Sequence, residues 1–216
     1  MSRPMFPLIV AIFTIATLLI VSFIFKLYEY PLWIKEGGII ETLSVVGYFL
    51  CVVLILVKGG WSYIKKYYYF FILIILFGLR ELDFDKRFTT MGIFKSKFYV
   101  SSSVPMVEKI MGLLVVAVLL YIVVSIVKNH SKGFFSEIKK LSPVHVGALI
   151  TFLTIVFAKS IDGIARKLGY MNIIMDEQTA ERFEVVEEVL ELGIPLFILA
   201  TLFIYFSKNL IQPNKV

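Results

Sequence analysis

The segment YYYFFILIILFGLRELDFDKR, Tyr67 to Arg87, decides how this chain is read. Thirteen uninterrupted apolar residues, Tyr67 to Leu79, run directly into Arg80-Glu81-Leu82-Asp83-Phe84-Asp85-Lys86-Arg87. At about 1.5 Å per residue, a helix of that length covers roughly 20 Å of a hydrocarbon layer about 30 Å thick. Either Trp61 to Lys66 complete the helix at its other end, with lysines snorkelling, or the charges lie below the membrane surface. Ionisable groups inside a membrane are costly and mostly face a bundle interior or a wet cavity, where they pair or act.

Five further apolar runs surround this one, at Pro7–Phe25, Gly37–Val57, Ile110–Val127, Val144–Ala158 and Val189–Phe206. The runs are continuous and do not alternate in hydrophobicity, which excludes a β-barrel and predicts helices. The expectation is an all-α, polytopic membrane protein, a bundle of six transmembrane helices in one domain spanning residues 1–216. The spans fall at about 7–27, 37–57, 63–82, 106–127, 144–162 and 188–206. The composition agrees: 59% hydrophobic, 18% charged, with a mean hydropathy of +0.88, which excludes an ordinary soluble domain. The first run reads as a retained span, because bulky Phe23, Phe25 and Leu27 stand where a cleavage site needs small residues.

The single cysteine, Cys51, excludes an internal disulfide and a cysteine-rich metal site. A net charge of +6 could signal nucleic acid, but the basic residues flank apolar runs, where membrane anchoring and orientation explain them. Six spans put both termini on one side. That side holds Arg3, Lys58, Lys65, Lys66, Lys128, Lys132, Lys139, Lys140, Lys208 and Lys215 with one acid, Glu137, in short connections. Lysine density in short loops sets orientation, so the chain is expected in the cell membrane with its termini cytoplasmic. The opposite side gathers the other carboxylates and two longer loops, after Asp85 and after Asp162. The aromatic loop Phe88 to Val104 is expected to lie in the interface.

Charge reaches the acidic side from four span ends. Glu41 lies one turn inside the second run; Arg80, Glu81, Asp83 and Asp85 close the third; Lys159, Asp162 and Arg166 close the fifth. Asp162 and Arg166 are spaced i, i+4 and share a face if the helix continues. Glu181, Glu184, Glu188 and Glu191 open the sixth as a carboxylate stripe. Pro195, four residues after Glu191, removes the hydrogen bond the Glu191 carbonyl would accept, leaving an oxygen for a hard cation or for a routine kink. Glu81, Asp83 and Asp85 alternate like calcium-loop ligands, but Lys86 replaces the required glycine, which rejects an EF-hand.

These residues define the candidate site. Glu41, Glu81, Asp83, Asp162 and Glu191 are the acid–base candidates, and Arg80, Arg87 and Arg166 the substrate-binding ones. Glu81, Asp83, Asp85, Glu188 and Glu191 are metal candidates, for a divalent cation such as Mg or Ca. His130 and His145 lie on the basic side, away from the carboxylates, and read as interfacial. No zinc set, serine triad or phosphate-binding glycine loop is present. The favoured function is an outer-facing, membrane-sunk site that binds or processes a lipid-like or amphipathic substrate. A cation transporter or channel using Glu41 and Glu191 is the first alternative, and a non-catalytic partner or sensor subunit the second. The partners implied are membrane lipids and no nucleic acid; no protein partner is named.

Overall fold

The computed structural model describes residues 5–34 and 37–211. Arg3, Lys35, Glu36, Lys215 and the Lys208 side chain, which enter the charge count above, lie outside the described part. Among the described residues every regular element is a helix and none is a strand. The main helices are α1 (Phe6–Ile24), α2 (Ile39–Lys66), α3 (Tyr68–Glu81), α4 (Met106–His130), α5 (Pro143–Ile161) and α6 (Glu177–Ile211). Five of them, all but α3, are long and apolar enough to cross a membrane.

The segment that opened the sequence reading resolves against the longer span. Trp61 to Lys66 belong to the preceding helix, α2, which passes through a π-turn at Ile55–Gly59 and a left-handed residue at Gly60. Tyr67 (φ −125°, ψ 34°) breaks the helix, and α3 begins afresh at Tyr68. The α3 helix therefore has only 14 residues, about 21 Å, and carries Arg80 and Glu81 in its last turn.

Local signals set the other boundaries. Pro143 occupies the first turn of α5, where its missing N–H costs nothing, and Pro105 precedes α4. The Asp176 carboxylate accepts from the Thr179 amide at 2.9 Å and caps α6. At the far end of α5, Asp162 leaves the helical region and Gly163 takes φ +59°, so the helix stops there.

The α6 helix is the pillar. It is 61% buried over its most apolar stretch, against 17% for α4, and α5, α2 and α1 pack directly on it. Gly47 of α2 lies so close to Pro195 of α6 that an added Cβ would stand 2.9 Å from the proline Cβ. At Gly147 of α5 the same atom would meet Thr201 Oγ1 well inside contact distance. Small residues thus let α2 and α5 approach α6 closely. Leu8 and Gly147 sit level with Thr201 while Ile15 and Thr154 sit level with Gly193, so α1 and α5 run antiparallel to α6; Gly47 is level with Pro195 and Gly59 with Phe206, so α2 runs parallel to it. Arg80 meets Glu191 and Tyr67 meets Tyr205, so α3 is antiparallel to α6 as well.

The loop Phe88 to Val104 folds onto α4. Phe98 is fully buried with Ile93 and Val104, and Glu108 holds the loop by accepting from the Thr90 amide at 2.8 Å and its hydroxyl at 2.5 Å. At the opposite end, Tyr63, Tyr67, Tyr205 and Phe206 form a ring cluster with centroids 4.9–6.2 Å apart.

Candidate functional site

Three helices deliver charge to one level of the pillar. Arg80 lies twelve residues along α3 from Tyr68, Lys159 sixteen along α5 from Pro143, and Glu191 fifteen before Phe206 on α6. Each is therefore about 18–24 Å from the aromatic end of the bundle. There the Arg80 guanidinium donates from Nη2 to Glu191 Oε1 at 2.7 Å and from Nη1 to Glu81 Oε1 at 3.2 Å. Lys159 Nζ reaches the same Glu191 oxygen at 3.1 Å and donates to Asp162 Oδ2 at 2.7 Å. Glu191 and Glu81 are buried, with side chains 7% and 4% exposed, while Arg80, Lys159 and Asp162 keep between 36% and 43%. The cations form the accessible rim and the carboxylates the floor.

More carboxylate surrounds this core. Glu41 and Glu188 lie within electrostatic reach of Glu81, and Glu188 also feels Glu191 and Glu187. Glu187 faces Asp162 and Lys159, with the Gly163 amide against its carboxylate. Glu41 itself is half-buried and accepts from the Gly37 amide at 2.5 Å. Six carboxylates thus share a region with three cations. Arg80 is taken by Glu191 and Glu81, Lys159 by Glu191 and Asp162, and Lys167, beside Asp162, donates to the Lys159 and Ser160 carbonyls at 3.0 and 3.3 Å. Among the described residues, Glu41, Glu187 and Glu188 have no cationic partner within ion-pair distance.

The expected site residues therefore divide. Glu41, Glu81, Asp162, Glu191 and Arg80 come together, with Glu188 beside them. Asp83, a catalytic and metal candidate, turns away because its own backbone is left-handed (φ 48°) and its carboxylate pairs with Lys86 at 2.8 Å. Asp85 lies on the short helix Phe84–Phe88, its carboxylate beside Gly92. Arg87 is exposed on the same turn. Arg166 does not pair with Asp162, because the break at Gly163 destroys the i, i+4 register; its guanidinium folds back over Gly163, and Lys159 takes Asp162 instead. No group of three His, Cys, Asp or Glu side chains among the described residues is placed to hold a metal ion. The divalent-cation expectation finds no ligand set in this geometry.

Two members escaped the sequence reading. Lys159 was seen only as a span end, although a lysine inside an apolar helix one turn before an aspartate is itself a pairing signal. Glu187 was passed over because it sits beside the stripe through Glu188 and not on it; Glu184, Glu187, Glu188 and Glu191 together make the i, i+3, i+4, i+7 face.

Toward the aromatic end the interior closes. Tyr48, Cys51, Ile55, Ile74, Ile194, Leu202 and Phe206 fill the space between α2, α3 and α6. The Cys51 thiol donates to the Pro195 carbonyl at 3.5 Å within this packing. The cluster rests on an apolar floor. To its side, a groove of about 400 Å³ runs between α5 and α6, lined by Ile150, Phe157, Ile161, Val186 and Leu190 among others. Ile161, Val186 and Leu190 are chain neighbours of the Lys159, Glu187 and Glu191 positions. No protein-family model, curated protein or solved structure matches this chain.

Proposed function

We propose that the protein is a six-span membrane protein whose Arg80–Glu191–Lys159 cluster binds, and through its carboxylates processes, the head of an amphipathic molecule. In this reading α3 is the sixth traverse. It is short because its charged end stops below the surface, about 10 Å inside a layer roughly 30 Å thick. The termini lie in the cytoplasm, on the side of the dense lysines, and the cluster opens to the outer leaflet.

The observation that carries the reading is a one-sided site: six carboxylates over an apolar floor, with an apolar groove alongside. A tail fits the α5–α6 groove and a head the charged rim. Arg80 and Lys159 are committed to carboxylates and Lys167 to the Lys159 and Ser160 carbonyls, so an anionic head finds no free cation at the core of the cluster. Glu41, Glu187 and Glu188 remain as acceptors, so the head is one that offers donors, an amine or a polyol. Paired carboxylates in unlike surroundings are also the groups that acid–base chemistry requires. Cation transport through Glu41 and Glu191 would use the same acceptors but needs a polar path onward to Lys58 and Lys140. That direction is apolar, packed between α2, α3 and α6 and lined by apolar side chains between α3, α4 and α5.

The test uses the full chain in nanodiscs and two probes of equal tail length, dodecylamine and dodecyl phosphate. Calorimetry should show saturable binding of the amine, weakened by Glu188→Gln and by Glu41→Gln, with little binding of the phosphate. Preferential binding of dodecyl phosphate, or amine binding indifferent to both substitutions, would refute the proposal.

A further inference from the structure

A second cleft lies at the opposite end of the bundle, where the sequence had shown only loops. It measures about 490 Å³ and is bounded by α3, α4, α5 and α6. Leu73, Phe77, Ile155 and Ile198 form its apolar depth, and His130 and His145 stand at its mouth. On α5 it extends from Val144 to Ile155, about 16 Å along the axis, so it is long for its volume. That size falls within the roughly 300–1,000 Å³ of small-molecule sites, which are mostly apolar with a few placed polar groups.

The mouth is cationic. Between Lys128 and His145 the chain carries Lys128, Lys132, Lys139 and Lys140 against one acid, Glu137, which Lys140 holds at 2.7 Å. Lys128 and Lys132 flank the lining residues His130 and Ser131, and Lys139 ends the short helix that the lining residue Phe134 begins. All three are exposed and have no carboxylate partner among the described residues. His130 uses Nε2 in a 2.6 Å hydrogen bond with Tyr69, and His145 uses Nδ1 in one of 2.9 Å with Ser142. Both rings are thereby fixed in orientation at the opening.

We infer that this cleft holds one acyl chain of an anionic phospholipid from the adjoining leaflet, with the lipid phosphate seated among Lys128, Lys132 and Lys139. Juxtamembrane lysines above an interhelical pocket attract anionic head groups. The apolar walls select a lipid over free phosphate, since a soluble anion gains nothing from Leu73, Phe77 or Ile198. Bound there, the lipid bridges α4 to α5 and α6, and α4 is the helix with the least burial of its own. The inference is independent of the carboxylate site: the cleft opens at the other end of the helices, and its apolar depth ends at Phe77 and Ile155, one turn short of Arg80 and Lys159.

Native mass spectrometry of the full chain in detergent tests it, with dioleoyl phosphatidylglycerol and dioleoyl phosphatidylcholine as probes. The chain should retain the anionic lipid preferentially. Removing lysines in Lys128→Gln, Lys132→Gln and Lys139→Gln should erode the preference by about fivefold each at low salt. Ala148→Phe, which fills the cleft, should lower retention of both lipids. Equal retention of the two lipids by the unaltered chain would overturn the inference, as would displacement of the anionic lipid by millimolar inorganic phosphate. The lysine variants change exposed positions and leave the packing intact. If Ala148→Phe does not fold, their loss or retention of preference decides alone.

Discussion

Replacing Arg80 should harm the fold more than replacing Glu191, although the two face each other at 2.7 Å. In Glu191→Gln, Arg80 keeps Glu81 at 3.2 Å and Lys159 keeps Asp162 at 2.7 Å. Neither cation is stranded, so the loss is that of charge-assisted bonds weakened to neutral ones, about 2 kcal/mol. In Arg80→Gln, Glu81 is left 4% exposed without its cation, and Glu191 retains only the half-exposed Lys159. Stranding one member of a buried pair costs about 3–5 kcal/mol, and the partial exposure of Arg80 places this case near 3. The double variant Arg80→Gln/Glu191→Gln should fall short of the sum by about 1 kcal/mol or more, because both single changes already remove the same Arg80–Glu191 ion pair. Unfolding of each variant in mixed micelles, titrated with a denaturing detergent and followed by circular dichroism, gives the three free energies. If Arg80→Gln costs no more than Glu191→Gln, or if the two add, the cluster is not the shared ion-pair network described above.

Four further outcomes follow from the same geometry. Gly147→Ala and Gly47→Ala should each cost about 1–3 kcal/mol by overpacking against Thr201 and Pro195, whereas Gly169→Ala, with open space around it, should be neutral in the same unfolding assay. Cysteines introduced at Lys66 and Glu177 should react differently with a membrane-impermeant reagent, the second alone in intact cells; the native Cys51 is fully buried and gives no background. Glu41→Gln and Glu191→Gln should insert and stay monodisperse yet lose binding of the amine probe, while a purely structural role would let binding track the folded protein remaining. The side-chain and backbone hydrogen bonds from Thr179 hold the Asp176 carboxyl below its ordinary value. The cap is therefore fully present above the usual aspartate pKa near 3.9 and lost as pH falls through the lowered one. Hydrogen exchange of the Thr179 amide should stay slow at neutral pH and rise toward pH 3 relative to mid-helix amides.

Helices were legible because their signal is repeated along each run, whereas contacts between charges were not, because each depends on a single bend. Continuous apolar runs marked where the main helices lie, although α2 runs on through Lys66 and α6 begins at Glu177, ahead of its apolar run, and the Arg80–Glu191 meeting followed from the depth at which two runs end. The break after α5 hinges on Asp162-Gly163, a dipeptide that favours turns, and reading it as helix paired Asp162 with Arg166. One left-handed glycine sends Arg166 outward and hands Asp162 to Lys159. Similarly, Tyr67 decides whether Trp61 to Lys66 lengthen α3, and no periodicity in that tyrosine-rich stretch shows a helix boundary. The histidine-mouthed cleft was invisible for a different reason: His130 and His145 lie on separate helices, and the space between them depends on how α3, α4, α5 and α6 pack around it.

The charge balance gives the strongest reason to look for a ligand at the carboxylate cluster. An ion-pair network that served packing alone would be expected to balance, since every unpaired carboxylate at depth adds a desolvation cost that no contact repays. Here Arg80, Lys159 and Lys167 set three charges against six carboxylates, and the surplus sits on α2 and α6 on the side away from the apolar floor. A donor-bearing head can remove that surplus, and its charge then decides the affinity. Dodecylamine should bind more tightly than dodecanol, which has the same tail and a neutral head. Equal affinity for the two would mean that the surplus carboxylates do not face the probe, and the cluster would then be read as structural.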